Sequence, residues 1–281
     1  MNQDQIAAPA AGGESRNLRT RIMAALILAP AAVAIAWAGG PLWVGLVTLA
    51  AVGLYVEWLM IVGAVQDTRT VAVGITALAM SGLCLAFGHS GYSLVILLIG
   101  AAAVAAVSQR LRLWSVTGFC YAAAAEVAAA LVRLDGGYGF IALIFVLLIV
   151  WVTDIGGYFA GRGIGGPKLW PRVSPKKTWA GAAGGFVASL AVAAGFSAFD
   201  FGKMIPLLLL AAFLSIVSQS GDLFESAVKR RFGVKDSSQI IPGHGGLLDR
   251  LDGFVAAIVL AALFGFLRGD ADGIGHALMV W

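Results

Sequence analysis

Acidic and basic residues gather near the ends of apolar runs in this sequence. Asp154 follows the run FIALIFVLLIVWVT, and the segment SQSGDLFESAVKRRFG carries Asp222, Ser226 and Lys229. In a helix the last three residues are spaced i, i+4 and i+7 and share one face, with Glu225 adjacent. Carboxylates bind Mg²⁺, and ammonium groups neutralise phosphate oxygens. The segment therefore predicts a site for a divalent cation and phosphate groups, and a solvated helix end with salt bridges is the alternative.

A second polar segment, KDSSQIIPGHGGLLDRLDG, precedes the last long apolar run. Glycines surround His244, and two acids, Asp249 and Asp252, flank Arg250. Glycine backbone allows N–H groups to approach an anion closely. A simple turn with a solvated histidine is the alternative, and Asp252 could merely cap a helix. We interpret the segment as part of the same phosphate and metal site.

A third segment, RVSPKKTWAG, combines Ser174, Lys176 and Lys177 with Thr178. The pattern predicts a proline-fixed turn before the next apolar run. Lipid headgroups attract basic patches of this kind, so headgroup attraction and substrate binding remain equal alternatives from the residues alone.

Composition places these segments in a membrane protein. The 281 residues are 60% hydrophobic and 12% charged, with a mean hydropathy of +0.90, whereas soluble domains contain roughly 25% charged residues. Apolar stretches of about 18 or more residues recur, which is the length that a helix needs to cross a bilayer. A β-barrel would instead show alternating strands of about ten residues. We therefore predict an all-α, polytopic integral membrane protein.

Nine spans are predicted, and the distribution of basic residues orients them. Sixteen of the 19 lysines and arginines fall on one side if the N-terminus is cytoplasmic, and only Arg133, Lys203 and Arg268 fall outside. This asymmetry follows the positive-inside rule and places the polar segments in the cytoplasm. The predicted spans cover residues 22–38, 42–64, 70–88, 92–108, 114–132, 138–161, 178–198, 204–228 and 252–269.

The spans divide the chain into three regions. Residues 1–21 form a cytoplasmic segment that we expect to be retained, because further spans follow the first one. Residues 22–135 form N-terminal transmembrane helices, in which Glu57 and Glu126 are interpreted as hydrogen-bonded groups between helices. Residues 136–281 form a catalytic transmembrane region with cytoplasmic loops at 162–177 and 229–251. The net charge of +4 belongs to this membrane pattern, so we expect no nucleic-acid partner.

The segment SAVKRRFGVKDSSQIIPGHGGLLDRLD, residues 226–252, resembles the signature of the phosphatidate cytidylyltransferase family, also called CDP-diacylglycerol synthases. TDIGGYFAGR and RVSPKKTWAG also resemble segments of that family, so the likeness is strongest over residues 150–265. Two positions depart from the family pattern. Ala180 stands where an acid is frequent, and Gly253 stands where a serine is frequent, which puts any role of those positions in doubt.

The resemblance implies transfer of the cytidylyl group of CTP to phosphatidic acid, giving CDP-diacylglycerol and pyrophosphate in a Mg²⁺-dependent step. Expected partners are these substrates, membrane lipids and a second copy of the chain in a homodimer. The expected location is the bacterial inner membrane, with the active site facing the cytoplasm. Asp222 and Asp249 are predicted to hold one or two metal ions. The predicted catalytic residues are Asp222, Asp249, Ser226, Lys229 and His244, and the predicted substrate-binding residues are Arg230, Lys235, Asp236, Arg250, Lys176, Lys177, Ser174 and Asp154.

Three other functions fit the sequence less well. In a secondary transporter the acids would lie near the bilayer midplane, whereas these acids lie at one membrane edge. A CDP-alcohol phosphotransferase would need an arginine where DGFVAA has Ala257. A noncatalytic scaffold would not need such a dense polar signature.

Overall fold

The structure is a computed structural model that describes residues 27–238, 245–269 and 273–281. The predicted segment 1–21 lies outside these residues. The helices are α1 (Ile27–Ala38), α2 (Gly40–Val62), α3 (Thr68–Ala86), α4 (Ser90–Val107), α5 (Arg112–Leu134), α6 (Gly139–Gly163), α7 (Trp179–Ala198), α8 (Met204–Arg231), α9 (Leu248–Arg268) and α10 (Ile274–Met279). Two short antiparallel strands, β1 (Lys168–Trp170) and β2 (Ser174–Thr178), form a hairpin between α6 and α7.

Helices α2 to α9 coincide with eight of the predicted spans and are long and apolar enough to cross a membrane. Their most apolar windows have mean hydropathies between 1.5 and 2.4. The apolar helix α1 lies within the remaining predicted span. The predicted fold class, an all-α polytopic membrane protein, is therefore confirmed.

Three local predictions were wrong. The SPKKT segment is strand β2 rather than a proline-fixed turn, because it pairs with β1 in the register Lys168 to Thr178. Helix α8 continues to Arg231, and α9 begins at Leu248, so both helices extend beyond the predicted spans. Hydropathy marks where a chain leaves lipid, whereas helical hydrogen bonding continues into the polar region.

Two clusters of buried apolar side chains hold the helices together, and both combine residues from before and after position 135. One cluster packs Trp43 of α2 against α6 and α8 through Phe145 and Leu214. The other packs Trp58 of α2 with Val228 of α8 and Val255 of α9. The packing therefore joins the regions before and after residue 135. Their division into an N-terminal and a catalytic region stays a prediction about function.

Close contact between α6 and α7 depends on glycine. A Cβ atom on Gly181 would lie 2.8 Å from the carbonyl oxygen of Gly157, and a Cβ atom on Gly185 would lie closer still to the carbonyl oxygen of Thr153. Small residues at such positions let helix backbones approach each other in a membrane. This line of glycines between α6 and α7, called the glycine seam below, brings the end of α6 beside the start of α7, where the polar segments meet.

Candidate active site

A cavity of about 580 Å³ opens where α6, the hairpin, α7 and α8 meet. Its polar lining includes Asp154 and Arg162 from α6, Lys176 and Lys177 from β2, and Asp222 from α8. The glycine seam forms one wall, since Gly157, Gly161 and Gly181 also line the cavity. The structure thus brings together four of the predicted site residues, Asp154, Lys176, Lys177 and Asp222, from three separate segments of the sequence.

Lys177 and Asp222 form an ion pair across this cavity. The ammonium group of Lys177 donates to Oδ2 of Asp222, and 29% of each side chain is exposed. Ser226, one turn further along α8, lies with its Oγ 3.4 Å from Oδ1 of Asp222. The strand β2 positions the lysine, because residues alternate sides along a strand and Lys177 is half-buried while Lys176 is exposed. The pair places an ammonium group beside a carboxylate in a partly exposed position that lines the cavity.

A second ion-pair group lies between α8 and α9. Nζ of Lys229 is 2.6 Å from Oδ1 of Asp249 and 3.0 Å from Oε1 of Glu225. The side chain of Glu225 is 1% exposed and that of Lys229 is 11% exposed. Lys229 therefore neutralises two carboxylates at once in a largely buried position.

The carboxylate of Asp249 also holds the chain that approaches α9. Its Oδ2 accepts hydrogen bonds from the backbone N–H of Ser237 and of Gly246, each at 3.0 Å, and from Oγ of Ser237 at 3.0 Å. Asp249 does not line the cavity described above. Its two oxygens are thus bound by Lys229 and by both ends of the loop 237–246.

The remaining predicted residues are distributed around these two groups. Arg230 donates to the carbonyl oxygens of Val173 and Val234, so it holds the hairpin against the end of α8. The side chains of Lys235, Asp236 and Arg250 are exposed, and Ser174 is half-buried at the start of β2. The predicted residue His244 lies outside the described residues.

Asp252, for which capping and a functional role are alternatives in the sequence, lies near both groups. It lies on the second turn of α9, close enough to Asp222, Lys177 and Glu225 for their charges to act on it. Asp154 also interacts with Asp222 and Asp252. The sequence alone assigns no role to Glu225 and leaves two roles open for Asp252, although the spacing of these acids from Asp222 and Asp249 is a signal.

The site brings carboxylates together with basic side chains, among them Arg162, Lys176 and Lys177 in the cavity lining. Two of the carboxylates, Asp222 and Asp249, are each paired with a lysine. No group of three or more acidic, histidine or cysteine side chains within the described ranges is arranged to hold a metal by itself. Mg²⁺ is commonly held by only one or two carboxylates, with phosphate oxygens and water completing its shell. The donor set therefore fits Mg²⁺ bound together with a phosphate-bearing substrate.

Gly253, where the chain departs from the family pattern, has a packing role. A Cβ atom there would lie 2.7 Å from Oγ of Ser218 on α8. Together with Gly221, which would meet the carbonyl oxygen of Asp252 at 2.8 Å, it allows α8 and α9 to approach closely. Glycine at position 253, where the family frequently has a serine, is thus accompanied by tight packing of α8 against α9, the helices that carry Asp222 and Asp249.

The sequence of this chain is similar to sequences of known proteins. Residues 19–267 match the sequence model of the Cytidylyltransferase family. The phosphatidate cytidylyltransferase of Brucella suis biovar 1 (strain 1330) is 40% identical over 264 residues, which cover 91% of this chain and 96% of that protein. The phosphatidate cytidylyltransferase of Bacillus subtilis (strain 168) is 46% identical over 123 residues, 42% of this chain and 45% of that protein. That of Staphylococcus haemolyticus (strain JCSC1435) is 51% identical over 120 residues, 42% of this chain and 46% of that protein.

Proposed function

The chain belongs to the cytidylyltransferase family, and we propose that it is a phosphatidate cytidylyltransferase. It transfers the cytidylyl group of CTP to phosphatidic acid and releases CDP-diacylglycerol and pyrophosphate, a step of phospholipid biosynthesis. The observation that carries this proposal is the 40% identity with a protein of that name over 91% of the chain. The cavity supports it, because lysines and carboxylates meet there at the end of membrane-spanning helices.

In the reaction, a phosphate oxygen of phosphatidic acid forms a bond to the α-phosphorus of CTP. The bond from that phosphorus to the bridging oxygen breaks, and pyrophosphate leaves with the electron pair. Such transfers depend on positioning and on neutralising phosphate charge. We assign neutralisation to Lys176, Lys177 and Lys229, with Arg230, Lys235 and Arg250 binding the outer phosphates. Ser226, Ser174, Asp236, Asp154 and His244 remain proposed contacts of substrate or water.

We propose that Asp222 and Asp249 hold Mg²⁺, in a count of one or two ions. When bound, Mg²⁺ supplies positive charge to the phosphate oxygens as negative charge develops on them. Each of these carboxylates is paired with a lysine, Asp222 with Lys177 and Asp249 with Lys229. Phosphate oxygens compete for both ammonium groups, so substrate binding would free carboxylate oxygens for the metal.

The orientation and assembly are also proposals. The basic residues counted above support a cytoplasmic N-terminus and a site that faces the cytoplasm, where CTP is available. We further propose the bacterial inner membrane as the location and a homodimer as the assembly, the latter from the family resemblance. Labelling of single cysteines introduced in β2 by an impermeant thiol reagent, in sealed inverted and right-side-out vesicles, tests the orientation. Light scattering of the purified protein in detergent tests the dimer.

The function is tested with purified protein, labelled CTP, phosphatidic acid and Mg²⁺ in detergent micelles. We expect labelled CDP-diacylglycerol and an equimolar amount of pyrophosphate. Asp222→Asn should lower turnover by at least about 100-fold, because the neutral amide is a weaker ligand for the Mg²⁺ that the Asp222 carboxylate is proposed to hold. Asp200→Asn is the matched control, since Asp200 is exposed in the connection between α7 and α8, at the far ends of both helices from the cavity. A folded wild-type protein that forms no product would overturn the proposal.

A further inference from the structure

Glu57, a buried acid of α2, contacts both ends of the polar loop that precedes α9. Its Oε2 accepts hydrogen bonds from Oγ of Ser237 at 2.9 Å and from the N–H of Leu248 at 2.7 Å. Its Oε1 accepts from Oγ of Ser238 at 2.6 Å and from the N–H of Leu247 at 2.8 Å. The side chain is 0% exposed. Four donors that lie 180 to 191 residues further along the chain thus surround one carboxylate.

Two of those donors belong to the start of α9. The first N–H groups of a helix lack partners within the helix, and a negative charge near them is favourable. The N-cap residue, Leu247, has no side chain that can accept these bonds. Glu57 supplies the acceptor from another helix, so α9 begins where the carboxylate of α2 fixes it.

The surrounding packing leaves little freedom for this arrangement. A Cβ atom on Gly53, one turn before Glu57, would lie 2.8 Å from Cδ2 of Leu247, so the bare backbone of α2 seats that side chain. A Cβ atom on Gly246 would lie 2.6 Å from Oε2 of Glu57. Glycine at both positions therefore permits residues 246–247 to lie directly on α2.

Ser237 connects this carboxylate to Asp249. Its hydroxyl oxygen lies 2.9 Å from Oε2 of Glu57 and 3.0 Å from Oδ2 of Asp249, so the two carboxylates share the single hydroxyl proton as acceptors. The N–H of Ser237 also donates to Asp249. We infer that Glu57 is a positioning residue for the transfer reaction, which fixes residues 237–238 and 247–248 and, through Ser237, the carboxylate of Asp249. The inference rests on the proposed function, because Asp249 is assigned there to the reacting site.

The proposal is tested with Glu57→Gln in the full-length protein. The amide keeps the size of the side chain but presents N–H groups toward a backbone N–H of Leu247 or Leu248, so one of those bonds must be lost. We expect kcat to fall by about 10- to 100-fold, since small displacements of reacting groups have effects of this size, while KM for CTP changes less than about threefold. Glu57→Asp keeps the charge but shortens the side chain, and should retain an intermediate kcat.

Hydrogen exchange gives a readout that does not depend on activity. We expect the backbone amides of Leu247 and Leu248 to exchange faster in Glu57→Gln. Glu126→Gln is the matched control, because Glu126 is also a membrane glutamate at 0% exposure, but it accepts from Thr48 of α2 and forms no hydrogen bond with residues 237–238 or 245–248. It should leave both exchange and kcat unchanged. Ser237→Ala should lower kcat without exposing the two leucine amides.

The outcomes separate this inference from the proposed function. Unchanged exchange at Leu247 and Leu248 in Glu57→Gln would overturn it, as would faster exchange with a wild-type kcat. An equal loss of kcat in Glu126→Gln would assign the effect to general destabilisation and would also overturn it. If the wild-type protein made no CDP-diacylglycerol, the proposed function would fail, and the assignment to catalysis would fail with it. The exchange data would then report on the loop contact alone.

Discussion

Lys229 should be essential for stability as well as for turnover, and Lys229→Met tests the first role. The ammonium group lies 2.6 Å from Asp249 and 3.0 Å from Glu225. Methionine retains most of the apolar length of the side chain but carries no charge. The substitution therefore removes the shared cation and leaves two carboxylates facing each other between α8 and α9.

The two carboxylates are not equally affected. Asp249 retains hydrogen bonds from Ser237 and Gly246, so its loss is about one charge-assisted hydrogen bond, or about 1.5–3 kcal/mol. Glu225 is 1% exposed and loses its one ion-pair partner among the described residues. Breaking a buried ion pair by removing one partner costs about 3–5 kcal/mol, and we expect a decrease of this size in the free energy of unfolding.

The assay is equilibrium unfolding in mixed detergent and SDS micelles, followed by helical circular dichroism. Lys203→Met is the control, because Lys203 is exposed before α8 and its side chain caps nothing. The double substitution Glu225→Gln with Lys229→Met should recover at least half of the lost stability, since it removes the unpaired buried charge. Turnover should not return, because Lys229 is assigned to phosphate binding. A loss below about 1 kcal/mol in Lys229→Met, or no recovery in the double variant, would refute the reasoning.

Three further predictions concern other parts of the molecule. Gly185→Ala should lower the free energy of unfolding by about 1–3 kcal/mol, because its methyl group meets the backbone of α6; Gly195→Ala, where the same helix has open space, should not. Lys177→Gln should lower turnover at least about tenfold but change stability by less than about 1 kcal/mol, because its ion pair with Asp222 is partly exposed. Asp67 lies outside the spans, and hydrogen bonds from Thr70 lower the pKa of its carboxyl. The ionised Asp67 carboxylate therefore contributes stability at pH values above its ordinary pKa. This contribution is lost as the pH falls through the lowered pKa of the folded state. Acid unfolding of Asp67→Asn, compared with wild type, should lack that component.

The spans could be predicted from sequence because lipid imposes one requirement on every helix. A bilayer demands about 20 apolar residues per crossing, and this requirement is written locally in the sequence. The hairpin could not be predicted in this way. The strand β2 depends on pairing with β1 across the intervening residues, and the basic, proline-containing sequence SPKKT has weak strand preference of its own.

The site was predictable in its residue types but not in its partnerships. Helical spacing placed Asp222, Ser226 and Lys229 on one face, and α8 contains all three. Spacing could not indicate that Lys177 pairs with Asp222, because 45 residues and a helix separate them. Glu57 was interpreted as a hydrogen-bonded group between helices, and its bond from Leu248 at the start of α9 agrees with that. No local pattern indicated its bonds from Ser237, Ser238 and Leu247.

The distance along the chain between Glu57 and its donors has a consequence for biogenesis. Helix α2 enters the membrane long before Ser237 and Leu248 are synthesised, 180 and 191 residues later. Until then the carboxylate lacks these partners, and a buried carboxylate without hydrogen-bond donors is destabilising. Arrival of α9 removes this penalty in the last stage of assembly. Nascent chains that stop before Ser237 should accordingly be preferred substrates of membrane proteases.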